Sequence, residues 1–213
     1  AGEERRWWSC SNALQSSTNI DRTIGKFNLM SAQAQRLLAP NGQPSNLSEV
    51  QYRLVRSENF KSWFGDWEND PENASKVVDE NGEPLVVYHF TDKRFSVFEL
   101  KGLSEGFFFT TIKSDKEFSY EASKRKSFFL NIKNLSELSD MSKYHWSIPH
   151  YENDWIRKSK LGGGDGIQFL REGDNKRIVV AYNSEQIKLA DGSNTYFDGN
   201  NPDIRFDSGG AVA

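Results

Sequence analysis

Leu85-Val86-Val87-Tyr88-His89-Phe90-Thr91 and, a short way downstream, Gly106-Phe107-Phe108-Phe109-Thr110-Thr111 are the two stretches that decide the fold. Both are rich in β-branched and aromatic residues, which favour strands. The turn signal Asp79-Glu80-Asn81-Gly82-Glu83-Pro84 precedes the first stretch, and Asn-Gly is its strong element. The sequence therefore predicts two β-strands, with the imidazole of His89 at the end of the first. A histidine there is either a core residue with local partners or part of a site.

Helix and strand signals flank these two strands. The capping-box patterns Ser48-Glu49-Val50-Gln51 and Ser114-Asp115-Lys116-Glu117 each predict the start of a helix. The second helix is expected to carry Tyr120 and to run to about Lys126. Strands are predicted at residues 128–132, 166–170 and 177–182, the last two as a hairpin, and residues 136–160 are expected to form helices or a long ordered loop.

Strands and helices occur in mixed order, which favours an α+β fold over a doubly wound sheet. The 213 residues are enough for one sizeable core with an extension. We expect an N-terminal arm or linker with a short helix at residues 1–47, one domain at residues 48–206 and a flexible tail at residues 207–213.

The composition excludes several classes of function. With 27 basic and 30 acidic residues, the chain lacks an overall positive charge that would attract nucleic acid or anionic lipid. The single cysteine, Cys10, excludes an internal disulfide framework and a cysteine-based zinc site. No apolar run reaches the roughly 18 residues that a membrane span requires. These features predict a soluble protein in a reducing compartment.

The aromatic residues downstream of His89 suggest a ligand site. Because side chains alternate along a strand, Phe107 and Phe109 are expected on one face and Phe108 on the other. Phe108 is therefore expected to face a cleft while its neighbours face the core. Tyr120, in the first turns of the predicted helix, is placed where it could stack on a planar ligand or simply pack.

The order of these motifs resembles the ADP-ribosyltransferases of the diphtheria-toxin and poly(ADP-ribose)-polymerase branch, which carry a His-Tyr-Glu triad. The segments FKSWFGDW (from Phe60), SKVVDENGEPLVVYHFT, GFFFTT, SEQIKLADG and NPDIRF are similar to the ADP-ribosyltransferase domains of phage and mobile-element polyvalent proteins. The likeness covers about residues 50–206. It implies a split, mostly antiparallel β-core with flanking helices, and NAD as the substrate with no metal.

The resemblance also implies roles for individual residues. His89 would hydrogen-bond the ribose and the nicotinamide amide, Tyr120 would stack on the nicotinamide ring, and Phe108 would take the place of the triad tyrosine. The family commonly has His-Gly-Thr where this chain has His89-Phe90-Thr91, so Phe90 and Thr91 fall at the nicotinamide contact.

The triad acid is the position at which this chain departs most from the family. Alignment of the last strand places Ile178 there, with no carboxylate in place. Three nearby residues are candidates for the third role, namely Gln168, Asp165 and Glu172, and we favour Gln168 as the third catalytic residue beside His89 and Phe108.

The implied activity is transfer of ADP-ribose from NAD to a macromolecular acceptor, with protein favoured over nucleic acid. The setting implied is a phage or mobile element, in which a toxin-like domain acts on a component of the host cytoplasm, with delivery in a virion as one route. Two alternatives stay open: an NAD glycohydrolase on the same fold, and a catalytically inactive virion or interaction module.

Overall fold

The computed structural model describes residues 37–205, except residues 103, 116–123, 139–148 and 172–175. Contacts divide the chain into the units Ala1–Leu37 and Leu38–Ala213, and the second unit contains the elements described below. Its helices are α1 (Glu49–Leu54), α2 (Glu58–Phe64), α3 (Pro149–Leu161) and a 3-10 turn (Ser184–Gln186). Its strands are β1 (Val87–Phe90), β2 (Phe107–Thr110), β3 (Arg125–Leu130), β4 (Leu135–Leu138), β5 (Gly166–Arg171), β6 (Lys176–Ala181) and β7 (Ile187–Leu189).

The seven strands form one sheet in the order β4-β5-β6-β2-β1-β3-β7. Its neighbouring strands are antiparallel, except for the parallel pair β4 and β5. Strands β1 and β2 are matched at the single pair Tyr88 and Thr110, whereas β1 and β3 are matched at four pairs. The sheet is therefore split between β1 and β2, and the predicted α+β fold with a split, mostly antiparallel core is confirmed.

The predicted helix start at Ser48 is confirmed by its hydrogen bonds. The Ser48 hydroxyl accepts from the backbone N–H of Gln51 at 3.4 Å, and the Gln51 side chain accepts from the Ser48 N–H at 3.1 Å. These two bonds satisfy groups that a helix N-terminus leaves unpaired. The next helix, α2, is capped by the Ser57 hydroxyl, which accepts from the backbone N–H of Phe60 at 3.3 Å, and it buries Phe60, Trp63 and Phe64.

Apolar clusters cover both faces of the sheet. The face that bears His89, here called the histidine face, carries Val87, Phe109, Phe128 and Val179 and is covered by residues that include Phe98 and Ile204. The opposite face, here called the helical face, packs against α1 and α2 through a cluster around Phe129 and against α3 through a cluster around Ile167 and Val180. Alternation along the strands separates these two sets of residues.

Two expectations for local structure are wrong. Strand β3 begins at Arg125, so a helix that starts at Ser114 cannot extend to Lys126. Residues 135–138 form strand β4, which lies parallel to β5, although the sequence was expected to form helices or a loop there. Both errors concern short segments that form strands because they pair with a distant part of the chain, and not because of their local propensity.

Candidate active site

His89 lies on β1 at the split in the sheet, and its ring spans the gap. Its Nδ1 lies 3.0 Å from the carbonyl oxygen of Phe108 on β2. Because a carbonyl oxygen only accepts hydrogen bonds, Nδ1 carries the proton and Nε2 is left as an acceptor. The ring contacts Phe98 and Phe109 with centroid distances of 5.2 and 5.7 Å. His89 is thus held by a backbone hydrogen bond and by aromatic packing.

The surroundings of His89 favour its neutral form. Burial lowers the pKa of His89 below its ordinary value of 6.5, and the positive charge of Lys126 lowers this pKa further. The hydrogen bond to Phe108 acts in the opposite direction and is outweighed. At neutral pH, His89 therefore presents an uncharged ring whose Nε2 accepts a hydrogen bond.

A cavity of about 680 Å³ lies beside His89. Residues of the segment that follows β1 line one side of it, and the start of β2 lines the other. Lys93, Arg94 and Lys101 contribute three positive charges to the lining, and Glu99 contributes one negative charge. The cavity is large enough for a small-molecule ligand, and its excess of positive charge is suited to an anionic group.

The two phenylalanines of the predicted site share the helical face of the sheet. Tyr88 of β1 lies opposite Thr110 of the antiparallel strand β2. In the same register, Phe90, two residues after Tyr88, lies opposite Phe108, two residues before Thr110. Phe108 is half-buried, lines the cavity and packs against the cluster around Val180. Phe107 and Phe109 are buried on the histidine face, as alternation predicts.

Gly106, at the start of the aromatic strand, permits a close approach between β2 and β6. A Cβ atom added to Gly106 would clash with the side chain of Val180 and would lie 3.2 Å from the carbonyl oxygen of Ala181. Any larger residue would push these strands apart next to Phe107. This close approach is the physical reason for glycine at this position of the motif.

Thr91 lines the cavity directly after β1. Its hydroxyl accepts a hydrogen bond from the backbone N–H of Lys93 at 3.2 Å, and its own N–H donates to the carbonyl oxygen of Lys124 at 2.9 Å. Thr91 therefore fixes the path by which the chain leaves β1 and places Lys93 at the rim.

Gln168 lies on β5, on the histidine face but apart from the cavity. Gln168 is paired with Val179 of β6, and Val179 is paired with Phe109 of β2. The ring of Phe109 contacts the ring of His89 on β1. Three strand spacings separate Gln168 from His89, about 14 Å. The Gln168 amide donates a hydrogen bond of 2.9 Å to the carboxylate of Glu137 on β4, so this region of the face carries a carboxylate.

The other positions considered for the third role have different surroundings. Ile178 is 1% exposed in the apolar cluster that also contains Phe169. Asp165 accepts hydrogen bonds from the backbone N–H groups of Lys133 and Asn134 at 3.0 and 2.7 Å, and it thereby connects two loops. Glu172 lies outside the described residues, as does Tyr120.

The stability of the protein is expected to fall when the pH decreases below about 6.5. In the unfolded chain His89 takes up a proton near that pH, whereas in the folded protein its lowered pKa delays the uptake. The unfolded state therefore binds more protons in this window, and acid favours unfolding. Urea unfolding of the wild type and of His89→Asn from pH 7.5 to 5 measures the effect, because the contributions of other groups cancel in the difference. A difference that stays constant across this range would contradict the prediction.

Sequence reasoning missed the charged lining of the cavity. The run Thr91-Asp92-Lys93-Arg94 directly after the strand-end histidine was an available signal, because basic residues beside a ligand-site histidine suit an anionic ligand. Lys101 lies further along the chain, and its place in the lining depends on the fold.

No group of three or more potential metal ligands occurs in the described parts of the chain. No helix among the described residues is long and apolar enough to cross a membrane.

Comparison with known protein families gives a match over the region of the cavity. The family model described as ADP-ribosyltransferase in polyvalent proteins matches residues 79–197, which is more than half of the chain and includes β1, β2 and the cavity segment. Searches of curated proteins and of solved structures found no match. The chain belongs to the ADP-ribosyltransferase family found in polyvalent proteins.

Proposed function

We propose that this protein transfers ADP-ribose from NAD to a macromolecular acceptor, which is a protein of a host cell in a phage or mobile-element setting. The observation that carries the proposal is the fixed, neutral His89 at the split of the sheet, beside a cavity lined by three cations. Family membership supports the reaction class and NAD as the substrate. The nature of the acceptor follows from the resemblance to polyvalent-protein domains.

NAD would be bound through its ribose, its pyrophosphate and its nicotinamide. His89 Nε2 would accept a hydrogen bond from a ribose hydroxyl, because Nδ1 is already used by Phe108. Lys93, Arg94 and Lys101 would neutralise the pyrophosphate. Phe90, Thr91 and Tyr120 are the proposed nicotinamide contacts, of which Thr91 lines the cavity and Phe90 lies beside Phe108 on the helical face.

Cleavage of the bond between nicotinamide and ribose builds positive charge on the ribose, as in glycoside hydrolysis. Groups that stabilise this charge lower the barrier, while fixed binding of the dinucleotide orients the reacting carbon toward the acceptor. Phe108 is proposed to shield one side of the reacting ring system. Gln168 is proposed as the polar residue that replaces the missing acid, with Glu137 as its hydrogen-bonded neighbour; this role requires the dinucleotide to extend from the cavity across β2 and β6 on the histidine face.

Replacing Gln168 by alanine is expected to lower ADP-ribose transfer about tenfold or more, with the NAD dissociation constant within a few fold of wild type. The Gln168→Glu/Glu137→Gln double variant exchanges the amide and the carboxylate, and is expected to keep or raise transfer because the charge is then on β5. Single-turnover assays and calorimetric NAD titration measure the two quantities. Unchanged transfer in Gln168→Ala would remove Gln168 from the mechanism.

Incubation of the protein with labelled NAD and a bacterial lysate tests the proposed function. Label on protein is the expected result. Label on nucleic acid would change the acceptor class, and free ADP-ribose as the main product would indicate the glycohydrolase. NAD that stays intact in the presence of a folded protein would favour the inactive module, for which the apolar surroundings of Ile178 are the specific observation.

A further inference from the structure

A second cavity of about 450 Å³, here called the asparagine cavity, lies between α2 and the C-terminal loop. The described residues that line it are Asn59, Ser62, Trp63, Asn131, Tyr196, Phe197, Asp198, Gly199 and Asn200. Trp63 and Phe197 belong to the cluster on the helical face, opposite to His89. Lys126 of β3 is the cross-strand neighbour of His89. Asn131 lies five residues beyond Lys126, so about 17 Å along the strand separate Asn131 from the position of His89. The asparagine cavity is therefore separate from the NAD site.

The asparagine cavity offers hydrogen-bond acceptors. The side-chain amide of Asn59 donates to the carbonyl oxygen of Thr195 at 3.0 Å, and that of Asn131 donates to the carbonyl oxygen of Trp63 at 2.7 Å. Both side chains keep their amide oxygens as acceptors. The oxygen of Asn131 is buried out of reach of solvent and has no hydrogen-bond partner among the described residues, so the exposed Asn59 supplies the amide oxygen that a ligand can reach.

Asp198 provides the negative charge of the asparagine cavity. One oxygen of its carboxylate accepts the backbone N–H of Asn200 at 2.8 Å, and the carboxylate also interacts electrostatically with the buried ammonium group of Lys188. No Lys, Arg or His is among the described residues of the lining. The lining thus carries one carboxylate and no cation, while the buried Lys188 ammonium outside the lining offsets part of the Asp198 charge.

The rim of the cavity is preformed. The side-chain oxygen of Asn194, which is fully buried, accepts from the N–H groups of Tyr196 and Phe197 at 3.2 and 3.3 Å. These bonds hold Phe197 at a φ of 45°, a conformation that few residues other than glycine adopt. Lys188, also fully buried, donates to the carbonyl oxygens of Asn201 and Asp203 and so anchors the loop that follows Asp198.

We propose that the asparagine cavity binds the guanidinium group of an arginine side chain presented by a polypeptide partner. A guanidinium group carries a positive charge and five N–H donors, which complement the Asp198 carboxylate and the amide oxygen of Asn59. Its flat face also stacks on aromatic rings, and Tyr196 is 43% exposed in the lining. The cavity exceeds the size of one guanidinium group and so admits the residues on either side of the arginine.

Binding of N-acetyl-L-arginine N-methylamide, followed by NMR shifts or calorimetry, tests this proposal. The matching citrulline compound has the same shape without the charge, and is expected to bind about tenfold or more weakly. Free L-arginine separates the two sources of the group: tighter binding of free L-arginine than of the blocked compound would overturn the polypeptide assignment. Equal binding of the arginine and citrulline compounds, or no binding of either, would overturn the proposal.

Asp198→Asn is expected to weaken binding of the arginine compound about tenfold. Asparagine keeps an oxygen for the N–H of Asn200, so the loop is preserved. Asp191→Asn is the matched control, because Asp191 is exposed, accepts the N–H of Ser193 in a similar turn and lies outside the cavity lining. Equal losses of affinity for the arginine compound in these two variants would contradict the proposed arginine site.

Tyr196→Ala is expected to weaken binding of the arginine compound about two- to fivefold. The NAD dissociation constant of Asp198→Asn should equal that of the wild type, so the arginine site and the proposed enzymatic function can fail independently. A loss of NAD binding in Asp198→Asn that matches its loss of arginine binding would show that the two sites are not separate, and would overturn the proposal.

Discussion

Replacing His89 by alanine is expected to weaken NAD binding and turnover by about 5- to 150-fold, which corresponds to about 1–3 kcal/mol for a ribose hydroxyl left without its partner. The reason is that Nε2 is the free acceptor at the cavity, since Nδ1 donates to Phe108. Calorimetric titration with NAD and an NAD-consumption assay measure the two quantities separately.

Alanine at position 89 also removes a ring that packs against Phe98 and Phe109, so loss of NAD binding needs a control for folding. His89→Asn is that control, because its amide N–H lies close to the position of Nδ1 and can still donate to the Phe108 carbonyl, while nothing replaces Nε2. The asparagine variant is expected to fold more stably than the alanine variant and to bind NAD equally poorly. A folded His89→Asn protein with wild-type affinity for NAD would remove His89 from the site.

Replacing Asp115 by asparagine is expected to lower the free energy of unfolding by about 3–5 kcal/mol. The Asp115 carboxylate lies 2.7 Å from the Lys176 ammonium and accepts a hydrogen bond of 2.7 Å from the Thr110 hydroxyl. Asp115 is 5% exposed and Lys176 is 2% exposed, so a neutral side chain at position 115 removes a negative charge that lies 2.7 Å from a buried ammonium group. Urea unfolding at pH 7 measures the change.

Two further variants separate this effect from a general loss of packing. Asp115→Asn/Lys176→Met removes both charges and is expected to recover most of the lost stability, because no uncompensated charge stays buried. Glu49→Gln breaks the exposed pair of Glu49 with Arg53 and is expected to change stability little. A loss in Asp115→Asn no larger than that in Glu49→Gln would contradict the importance of burial.

Several elements were predictable because their causes are local. The capping box at Ser48 needs only the side chains of Ser48 and Gln51. The strands around His89 and Phe108 follow from β-branched and aromatic runs after a turn signal, and the pairing of β5 with β6 follows from the short connection between two apolar runs. In each case the interacting groups lie within a few residues or one turn of each other in the chain.

The strand order and the parallel pairing were not predictable from such signals. Strand β4 is short and only partly buried, and it becomes a strand by pairing with β5, whose residues lie 31 positions away. The ion pair of Asp115 with Lys176 joins the end of β2 to the start of β6. Such contacts depend on how distant segments are brought together, and no local pattern encodes them.

For the site, sequence patterns were enough to identify His89, to place it at a strand end and to indicate the family resemblance, which a family match over residues 79–197 supports. The folded structure was needed to show which ring nitrogen of His89 is left as an acceptor, which cations line the cavity, and that Gln168 lies beside Glu137. The physical reason is that strand propensity and side-chain alternation act between near neighbours, whereas hydrogen bonds across the split and charges around a cavity arise from long-range packing.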